Sequence, residues 1–533
     1  MLRSTARATR QTASFRMLHR SSYTPFLPTV PFPDPQLKPR EQLSIRNPAN
    51  GDHLCVVELA SEADVKQTVA GAQSIFQAGT WSKAPAIERS KVLSRMARAL
   101  EARISELAEI ETLQTGRSIR EMKAQLSRLP EWIDYYAALL RTTQAFVAPT
   151  QGKLINYVQR VPLGVVAQIT PFNHPLLISI KKLAPALAAG NSVIVKPSEL
   201  APISVLEFAR MAEAAGLPSG VLSVLPGYGA SAQLLAQNPL VRKVDVTAGT
   251  NTGRLLGSTV GRNLAAFTAE LGGKAPIVVF EDADIPSAAN GVAFAAFVAS
   301  GQTCVSGTRL IVHDDIWDTF MPLFLKKTES IRRRMGNPLN PKSSMGTVIS
   351  ERHLARIQTM LDKSLEPGKG TILTGGQRLT GKSELDNFDF DRGSFYAPTV
   401  ITDVDTSNDL WREEIFGPVV VAKRFSTEDE ALALANDSKY GLGAGVWTQN
   451  LSRAHRVAAA IEVGICWVNT AHRNDPSSPW GGMKESGIGR ENGVEAFESY
   501  SQSKSVIVNI ASTAESRQTD DWFAEDAEGR RYG

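Results

Sequence analysis

Residues 165–199 read VVAQITPFNHPLLISIKKLAPALAAGNSVIVKPSE, and this stretch decides the fold class. Val165 to Ile169 and Ser192 to Val195 are short apolar, β-branched runs of strand character, and Pro175 to Ala189 between them has helical length and texture. The pattern continues downstream. Val221 to Val224, Lys243 to Val246 and Leu264 to Thr268 read as strands, while Pro202 to Ala215, Ala230 to Gln237 and Thr252 to Val260 read as helices. Strand and helix alternating at this spacing predict a parallel, helix-covered sheet. A second alternating section runs from Ile277 to about Asn469, so the chain is expected to hold two α/β domains. Upstream, Ser61 to Gly79, Ile87 to Gly116 and Ile119 to Leu140 carry helical periodicity, with Thr115-Gly116 as a stop. Tyr157 to Arg160 and Ser503 to Val508 read as strands with no place in either sheet; they pair with each other or with another subunit.

The bulk properties agree with a large enzyme. A chain of 533 residues exceeds what one core supports, so two or three domains are expected. The net charge of +4 is spread out, which gives nucleic acid no electrostatic footprint. Apolar runs such as Val292 to Ala299 fall far short of a bilayer span, and no membrane or metal partner is expected. Cys55, Cys304 and Cys466 are too few and scattered for a disulfide framework and suit a reducing compartment. At the N-terminus Arg3, Arg7, Arg10, Arg16 and Arg20 stand among Ser and Thr, with no acidic residue before Asp34. That composition predicts a mitochondrial transit peptide over residues 1–24 and matrix localisation, a disordered basic tail on a cytoplasmic protein being the alternative. Pro25 to Pro39 reads as an extended lead-in, and Thr513 to Gly533 as an exposed polar tail.

Five local patterns carry candidate chemistry. Gly227-Tyr-Gly229-Ala-Ser-Ala232 follows a strand and matches a dinucleotide fingerprint, but no acid ends the next strand to hold a ribose. Gly249-Thr250-Asn-Thr-Gly253 sits between strand and helix, where helix amides could face a phosphate. Local pattern does not choose between them. Lys196-Pro-Ser-Glu199 lies at the carboxyl end of a strand, where open α/β sheets bind ligands; Glu199 would accept ribose hydroxyls and repel a 2′-phosphate. The bland alternative is a capping Ser198 followed by surface charges. Cys304, in Gly301-Gln-Thr-Cys304 after the apolar helix Asn290 to Ala299, has small and polar neighbours that suit a close approach rather than a buried inert thiol. Glu270, in Ala269-Glu-Leu-Gly-Gly273, is either a charged turn residue or a placed base. No His-Asp set for a protease-like triad is evident.

Taken together, these motifs show a resemblance. From about Arg46 to Val508 the chain resembles the aldehyde dehydrogenase superfamily. Pro171-Phe-Asn173-His-Pro, Lys196-Pro-Ser-Glu199, Glu270-Leu-Gly-Gly-Lys274, Gly301-Gln-Thr-Cys304, Glu414-Ile-Phe-Gly-Pro418 and Pro479-Trp-Gly-Gly-Met-Lys-Glu-Ser-Gly487 occur in the family's order and spacing. The resemblance implies a Rossmann-type NAD-binding domain over 40–145 and 161–272 and an α/β catalytic domain over 273–485. It also implies oligomerisation strands in 146–160 and 495–510, within a homodimer or homotetramer. Cys304 would attack the aldehyde carbon, Asn173 and the Cys304 N–H would hold the oxyanion, and Glu270 would activate the water that cleaves the thioester. Glu414 would bind the nicotinamide ribose with Phe416 near the ring, and Lys196 and Glu199 the adenosine ribose. Thr170 and the turn Gly249, Thr250, Gly253 would line the rest of the cofactor path, with Gly229 beside the adenine. Lys182 and Glu491 match a proton route from Glu270 to solvent.

Some positions depart from the family. Val246-Thr-Ala-Gly249 replaces the usual Phe-Thr-Gly-Ser, Ser306 replaces a small or amide residue, and Phe172 replaces a frequent tryptophan. NAD is expected over NADP because of Glu199. A CoA-acylating semialdehyde dehydrogenase would lack the Glu270 base, and a non-catalytic protein on this fold would not need Cys304, Glu270 and Asn173 together. His174, Lys181, Thr303, Arg473, Asn474 and Trp480 match substrate-entrance positions. Their polarity predicts a small-molecule aldehyde with a polar or anionic group.

Overall fold

A computed structural model describes residues 20–27, 40–365 and 369–519, together with 523 and 525. The expected first sheet is present. Its strands lie in the order Gly487–Ile488, Ala266–Glu270, Val241–Thr247, Val165–Ile169, Ser192–Lys196, Leu222–Val224. All neighbours are parallel except the short Gly487–Ile488, which runs antiparallel at one edge. Every residue of Val165–Ile169 and Ser192–Lys196 is buried, as helices on both faces require. Strand order reverses between Val165–Ile169 and Val241–Thr247, so the crevice at this switch point opens at their carboxyl ends. Thr170 to Asn173 and Thr247 to Gly253 leave the sheet at that crevice, flanked by Lys196 and Glu270.

The helix Pro175–Ala189 starts with Pro175 in its first turn and stops at Gly190, whose φ of 97° is the left-handed cap. Only Leu177 of its residues is not fully buried, so it runs through the interior and carries Lys181 and Lys182 inward. Two expected long helices are each broken in two. Ala86–Ala102 and Ile104–Thr115 meet at Arg103, whose guanidinium turns to Glu106 and to Glu207 at 2.9 Å. Ile119–Leu126 and Leu129–Thr142 are separated because Pro130, lacking an N–H, sits in the first turn of the second helix.

The second sheet orders Thr371–Thr374, Thr399–Thr402, Val419–Phe425, Arg309–His313, Pro276–Val279, Gly443–Trp447, Ile465–Val468, parallel apart from its first edge strand. The two unplaced strands pair with each other. Leu154–Pro162 runs antiparallel to Ser501–Asn509 and to Phe146–Ala148, in a sheet of three. Phe146, Val147, Ile507 and Ile510 on and beside it are exposed.

The expected leader boundary at residue 24 cuts into packed structure. Ser22–Tyr23 pairs with Val56–Val57, Phe26 exchanges two backbone hydrogen bonds with Val224, and Tyr23 is buried beneath the Arg210 guanidinium. The phenol ring and the strand pairing place residues 20–27 within the fold. Arg3, Arg7, Arg10 and Arg16 lie outside the described residues, as does most of the Pro25 to Pro39 lead-in. Thr513–Thr519, expected within the tail, forms a short helix, with Glu515 paired to Lys153 at 2.5 Å. Among the described residues no helix is long and apolar enough to cross a membrane.

Candidate active site

The helix expected over Asn290 to Ala299 spans Ile285–Phe297 and is capped by Asp284, which accepts from the Ser287 N–H at 3.0 Å. It ends before Ala299 because Ala299, Ser300 and Gly301 follow with φ of 54°, 55° and 70°. Left-handed backbone costs a non-glycine residue about 1 kcal/mol or more, so surrounding bonds must hold it. The Ser300 hydroxyl donates to Gly346 O at 3.0 Å, and Gln302 Oε1 accepts from the Ile349 N–H at 2.9 Å. Ser306 has a clear local use: its hydroxyl donates to the Ala296 carbonyl at 3.1 Å, at the end of that helix. The strained run delivers Cys304 to a cavity.

Three backbone segments meet behind Cys304. A β-carbon on Gly273 would collide with the Cys304 carbonyl, and one on Gly301 with the Gly417 carbonyl. Glycine is required there for close approach. Asn173, leaving the strand Val165–Ile169, donates its side-chain amide to Gln302 O at 2.8 Å and so is tied to the Cys304 loop. Its carbonyl accepts from Arg117 Nη1 at 3.2 Å, while Arg117 Nε pairs with Glu121 and Glu121 accepts from the Ala299 N–H at 3.4 Å. The buried Arg117–Glu121 pair therefore holds both the Asn173 and the Cys304 segments.

Glu270 ends its strand inside the same cavity, buried, with neither carboxylate oxygen hydrogen-bonded to another residue. Burial, and then the negative Glu491, raise its pKa well above the usual carboxylate range, against the pull of Lys181 and Lys182. Burial, with Glu270 and Glu414 adding to it, pushes the Cys304 thiol up to about 12. The resting pair is thus a thiol beside a carboxyl group of raised basicity.

Behind them lies a buried chain of charges. Glu491 accepts from Lys181 at 2.7 Å and Lys182 at 2.5 Å. Lys182 also pairs with Asp245, which accepts from the Tyr500 hydroxyl. Although burial pushes Glu491 up, the two lysines hold it at about 2. Glu270 has no direct hydrogen bond to this chain and is coupled to it through charge. Lys182 and Glu491 were expected here; Asp245 and Tyr500 were not.

Of the residues expected to hold a dinucleotide, Thr170, Lys196 and Gly249 lie at the carboxyl ends of the strands at or next to the switch point. Among the described residues the Glu414 carboxylate accepts one hydrogen bond, from the Gly273 N–H at 3.0 Å, and burial raises its pKa to about 7. Phe416 has φ of 58°, its carbonyl meets His353 Nε2 at 2.6 Å, and its ring packs edge-on against Phe172 at 5.8 Å. Phe172 thus fills the place of the usual tryptophan with an aromatic contact. Lys196 is buried, 3.7 Å from the third-exposed Glu199, and burial lowers its pKa. The Thr170 N–H donates to Lys196 O at 3.1 Å. Gly249 caps the helix Thr250–Arg262 without a side chain, and the adjoining Ala248 N–H donates to Glu270 O at 3.1 Å. Thr250 Oγ1 lies 3.4 Å from Glu485 O, and Gly253 lets the helix press on Leu271. Gly229 starts a helix after the edge strand Leu222–Val224, away from the switch point. Of the two glycine turns, Gly249 to Gly253 is the one beside Glu270.

The cavity in front of Cys304 has a volume of about 320 Å³. His174, Lys181, Thr303, Asn474 and Trp480 line it as expected, but Arg473 does not: only its carbonyl is engaged, by Trp467 Nε1 at 2.9 Å. The expected polar lining is also largely used up internally. Lys181 is paired with Glu491 and sits 4.5 Å from the Trp480 ring centre; Asn474 Oδ1 accepts from Asn492 at 2.9 Å. The apolar part of the wall is Trp132, Leu177, Ile178, Phe294, Val298 and Trp480, and Gln125, Arg128 and His472 also line the cavity. An anionic substrate group therefore finds less free charge here than the sequence suggests. Trp132 and Phe294 sit on amphipathic helices, where nothing local distinguishes a cavity wall from core.

The whole chain has close structural relatives. The crystal structure of PnpE from Pseudomonas sp. WBC-3 matches with 40% identity and a TM-score of 0.84, over 89% of this chain and 95% of that one. An NAD-dependent aldehyde dehydrogenase from Sinorhizobium meliloti matches with 34% identity and a TM-score of 0.88, over 94% and 96%. Betaine aldehyde dehydrogenase from Staphylococcus aureus, in complex with NAD+, matches with 32% identity and a TM-score of 0.89, over 96% and 98%. The model of the aldehyde dehydrogenase family matches residues 36–506. The chain belongs to the aldehyde dehydrogenase family.

Proposed function

We propose that this enzyme oxidises an aldehyde to the carboxylic acid with NAD, using Cys304 as nucleophile and Glu270 as the base that releases the acid. The observation that carries the reading is a carboxylate with no hydrogen-bond partner sharing one cavity with the cysteine thiol. The crevice also fits the cofactor. Glu414 keeps an acceptor oxygen for a ribose, Glu199 and Lys196 stand at a strand end, and the helix beginning at Thr250 leaves its first amides uncapped by a side chain. When bound, NAD takes up the hydride that the side chains cannot.

Cys304 Sγ forms a bond to the aldehyde carbon as its proton passes to Glu270 and onward toward solvent. The carbonyl oxygen gains the negative charge and is met by the Cys304 N–H and the Asn173 amide, whose position Gln302 and Arg117 fix. After hydride loss the carbon is a thioester on Cys304. Glu270 takes a proton from a water, the hydroxyl adds to the thioester carbon, and the C–S bond breaks to give free acid and cysteine. Glu491, Asp245, Lys181 and Lys182 all act on Glu270 through charge, which supports a route for its proton.

Incubation with NAD and a simple aldehyde such as propanal or benzaldehyde tests the reading. NADH and free acid are expected in equal amounts. Acyl-CoA formed in preference to acid when CoA is added would establish the CoA-acylating alternative instead.

Cofactor choice follows from Glu199. A 2′-phosphate beside this partly desolvated carboxylate is repelled, so kcat/KM should favour NAD over NADP. Glu199→Gln removes the charge and should narrow the preference by about tenfold. Equal kcat/KM with the two cofactors in the unmodified enzyme would sink this assignment.

A further inference from the structure

His174 follows Asn173 in the chain, lines the cavity and is gripped at one ring nitrogen. Arg117 Nη1 lies 2.7 Å from Nδ1, and Gln125 Nε2 lies 2.9 Å from the same atom. A guanidinium has no lone pair to offer, so it can only donate. Nδ1 must therefore accept, and it carries no proton. Arg117 also donates to Gln125 Oε1 at 3.2 Å, which favours the amide nitrogen, 2.9 Å from Nδ1, over the amide oxygen, 3.3 Å away, as the partner of the imidazole. The guanidinium itself is buried and anchored by Glu121 and the Asn173 carbonyl.

A neutral imidazole has one N–H, and with Nδ1 bare that proton sits on Nε2. Double protonation is opposed by burial first and then by the neighbouring Arg117, His472 and Lys181, which hold the His174 pKa well below 6.5. No hydrogen bond engages Nε2 among the described residues. The result is an oriented Nε2–H donor in a cavity whose apolar wall is Trp132, Leu177, Ile178, Phe294, Val298 and Trp480, with Thr303 and Asn474 among its polar lining.

We infer that His174 is a specificity-determining donor, locked by Arg117 and Gln125 in its Nε2–H form, and that the preferred aldehyde carries a neutral acceptor atom on an apolar or aromatic body. Ether, carbonyl or hydroxyl oxygen and ring nitrogen all fit. Because His174 adjoins the Asn173 segment at the Cys304 loop, the acceptor lies near the reacting carbon and not at the end of a long chain. A ligand without an acceptor leaves the N–H desolvated and unpaired, and sites built around a donor discriminate strongly against such analogues. This inference rests on the aldehyde-oxidising reading above and narrows it.

Its test compares matched pairs: 2- and 3-methoxybenzaldehyde against the 2- and 3-ethyl compounds, and pyridine-carboxaldehydes against benzaldehyde. In the unmodified enzyme the better acceptor member should exceed its partner in kcat/KM by about tenfold or more. In His174→Phe that ratio should fall to near one, and in His174→Gln, which keeps an N–H donor, it should be partly retained. Reading ratios within each variant cancels a general loss of activity. Independently, long-range 1H–15N correlation spectra of enzyme labelled at its 7 histidines should show His174, assigned by its loss in the variant, as the Nε2–H tautomer. Ratios unchanged by His174→Phe, or an Nδ1–H tautomer, overturn the inference. Failure to oxidise any member of the panel would count against the aldehyde-oxidising reading, and the tautomer measurement would still decide this one.

Discussion

Cys304→Ala is expected to abolish NADH formation with every aldehyde while leaving NAD binding intact. In the proposed mechanism the thiol forms the covalent bond that precedes hydride loss. Removing the nucleophile from an enzyme of this kind costs on the order of 10⁶ in turnover, below what an absorbance assay detects. Cys55 is fully buried, and burial pushes its thiol up to about 12, so it cannot substitute. NAD affinity, followed by quenching of tryptophan fluorescence, should stay within a few-fold. Substantial NADH production by the variant would overturn the mechanism.

Glu270→Gln should give a different defect. Glutamine keeps the shape of the side chain but cannot take the proton of the attacking water, so steady turnover should fall by about 10²–10⁴. The acyl-enzyme should accumulate, seen as a burst of NADH approaching one per active site and then a slower phase, the burst itself slowed because the thiol proton has lost its acceptor. The pH profile carries the sign. In the proposed mechanism deprotonated Glu270 is the active form, and its pKa is raised by burial and by Glu491. Turnover of the unmodified enzyme should therefore fall as the pH drops through that raised value, well above the usual carboxylate range. Glu270→Gln should lose this limb. Because the Cys304 thiol is also raised, to about 12, the burst itself should quicken with rising pH in both proteins. A variant that turns over steadily, with no burst and an unchanged pH profile, would assign the base elsewhere.

Much of this site could be read in the sequence because its parts sit at strand ends. Glu270, Lys196 and Asn173 each follow an apolar run that can only be a buried strand, and the carboxyl ends of such strands face one crevice. The choice between Gly227–Ala232 and Gly249–Gly253 could not be made that way. It depends on which strands are neighbours, and strand order is a long-range property that local texture does not encode. Asp245 was missed for a related reason: inside the strand Val241–Thr247 it looks like the polar half of an alternation. Its partner Tyr500 is 255 positions away. The cavity wall was legible only in part, since Trp132 and Phe294 lie on helix faces that read equally well as core. The polarity expected of that wall was misjudged because residue type does not reveal that Glu491 already occupies Lys181. The packing of the N-terminal segment was not legible either: only the tertiary contacts with Val224 and Arg210 show that Tyr23 and Phe26 pack against the body of the protein.

The backbone-to-backbone meeting of the Glu270 turn, the Cys304 loop and the loop after Glu414 governs how this enzyme can diversify. Where side chains touch, one substitution can be offset by another, and a lineage can drift through compensated pairs. At Gly273 and Gly301 the opposing surface is a carbonyl group, which every residue carries and none can shed. No second mutation restores the space. Drift is closed at these positions, and the same closure holds the thiol and the base in one geometry while the rest of the chain changes. The freedom to take on new aldehydes then falls to Trp132, Phe294 and His174, whose side chains can be exchanged without moving the backbone that performs the reaction.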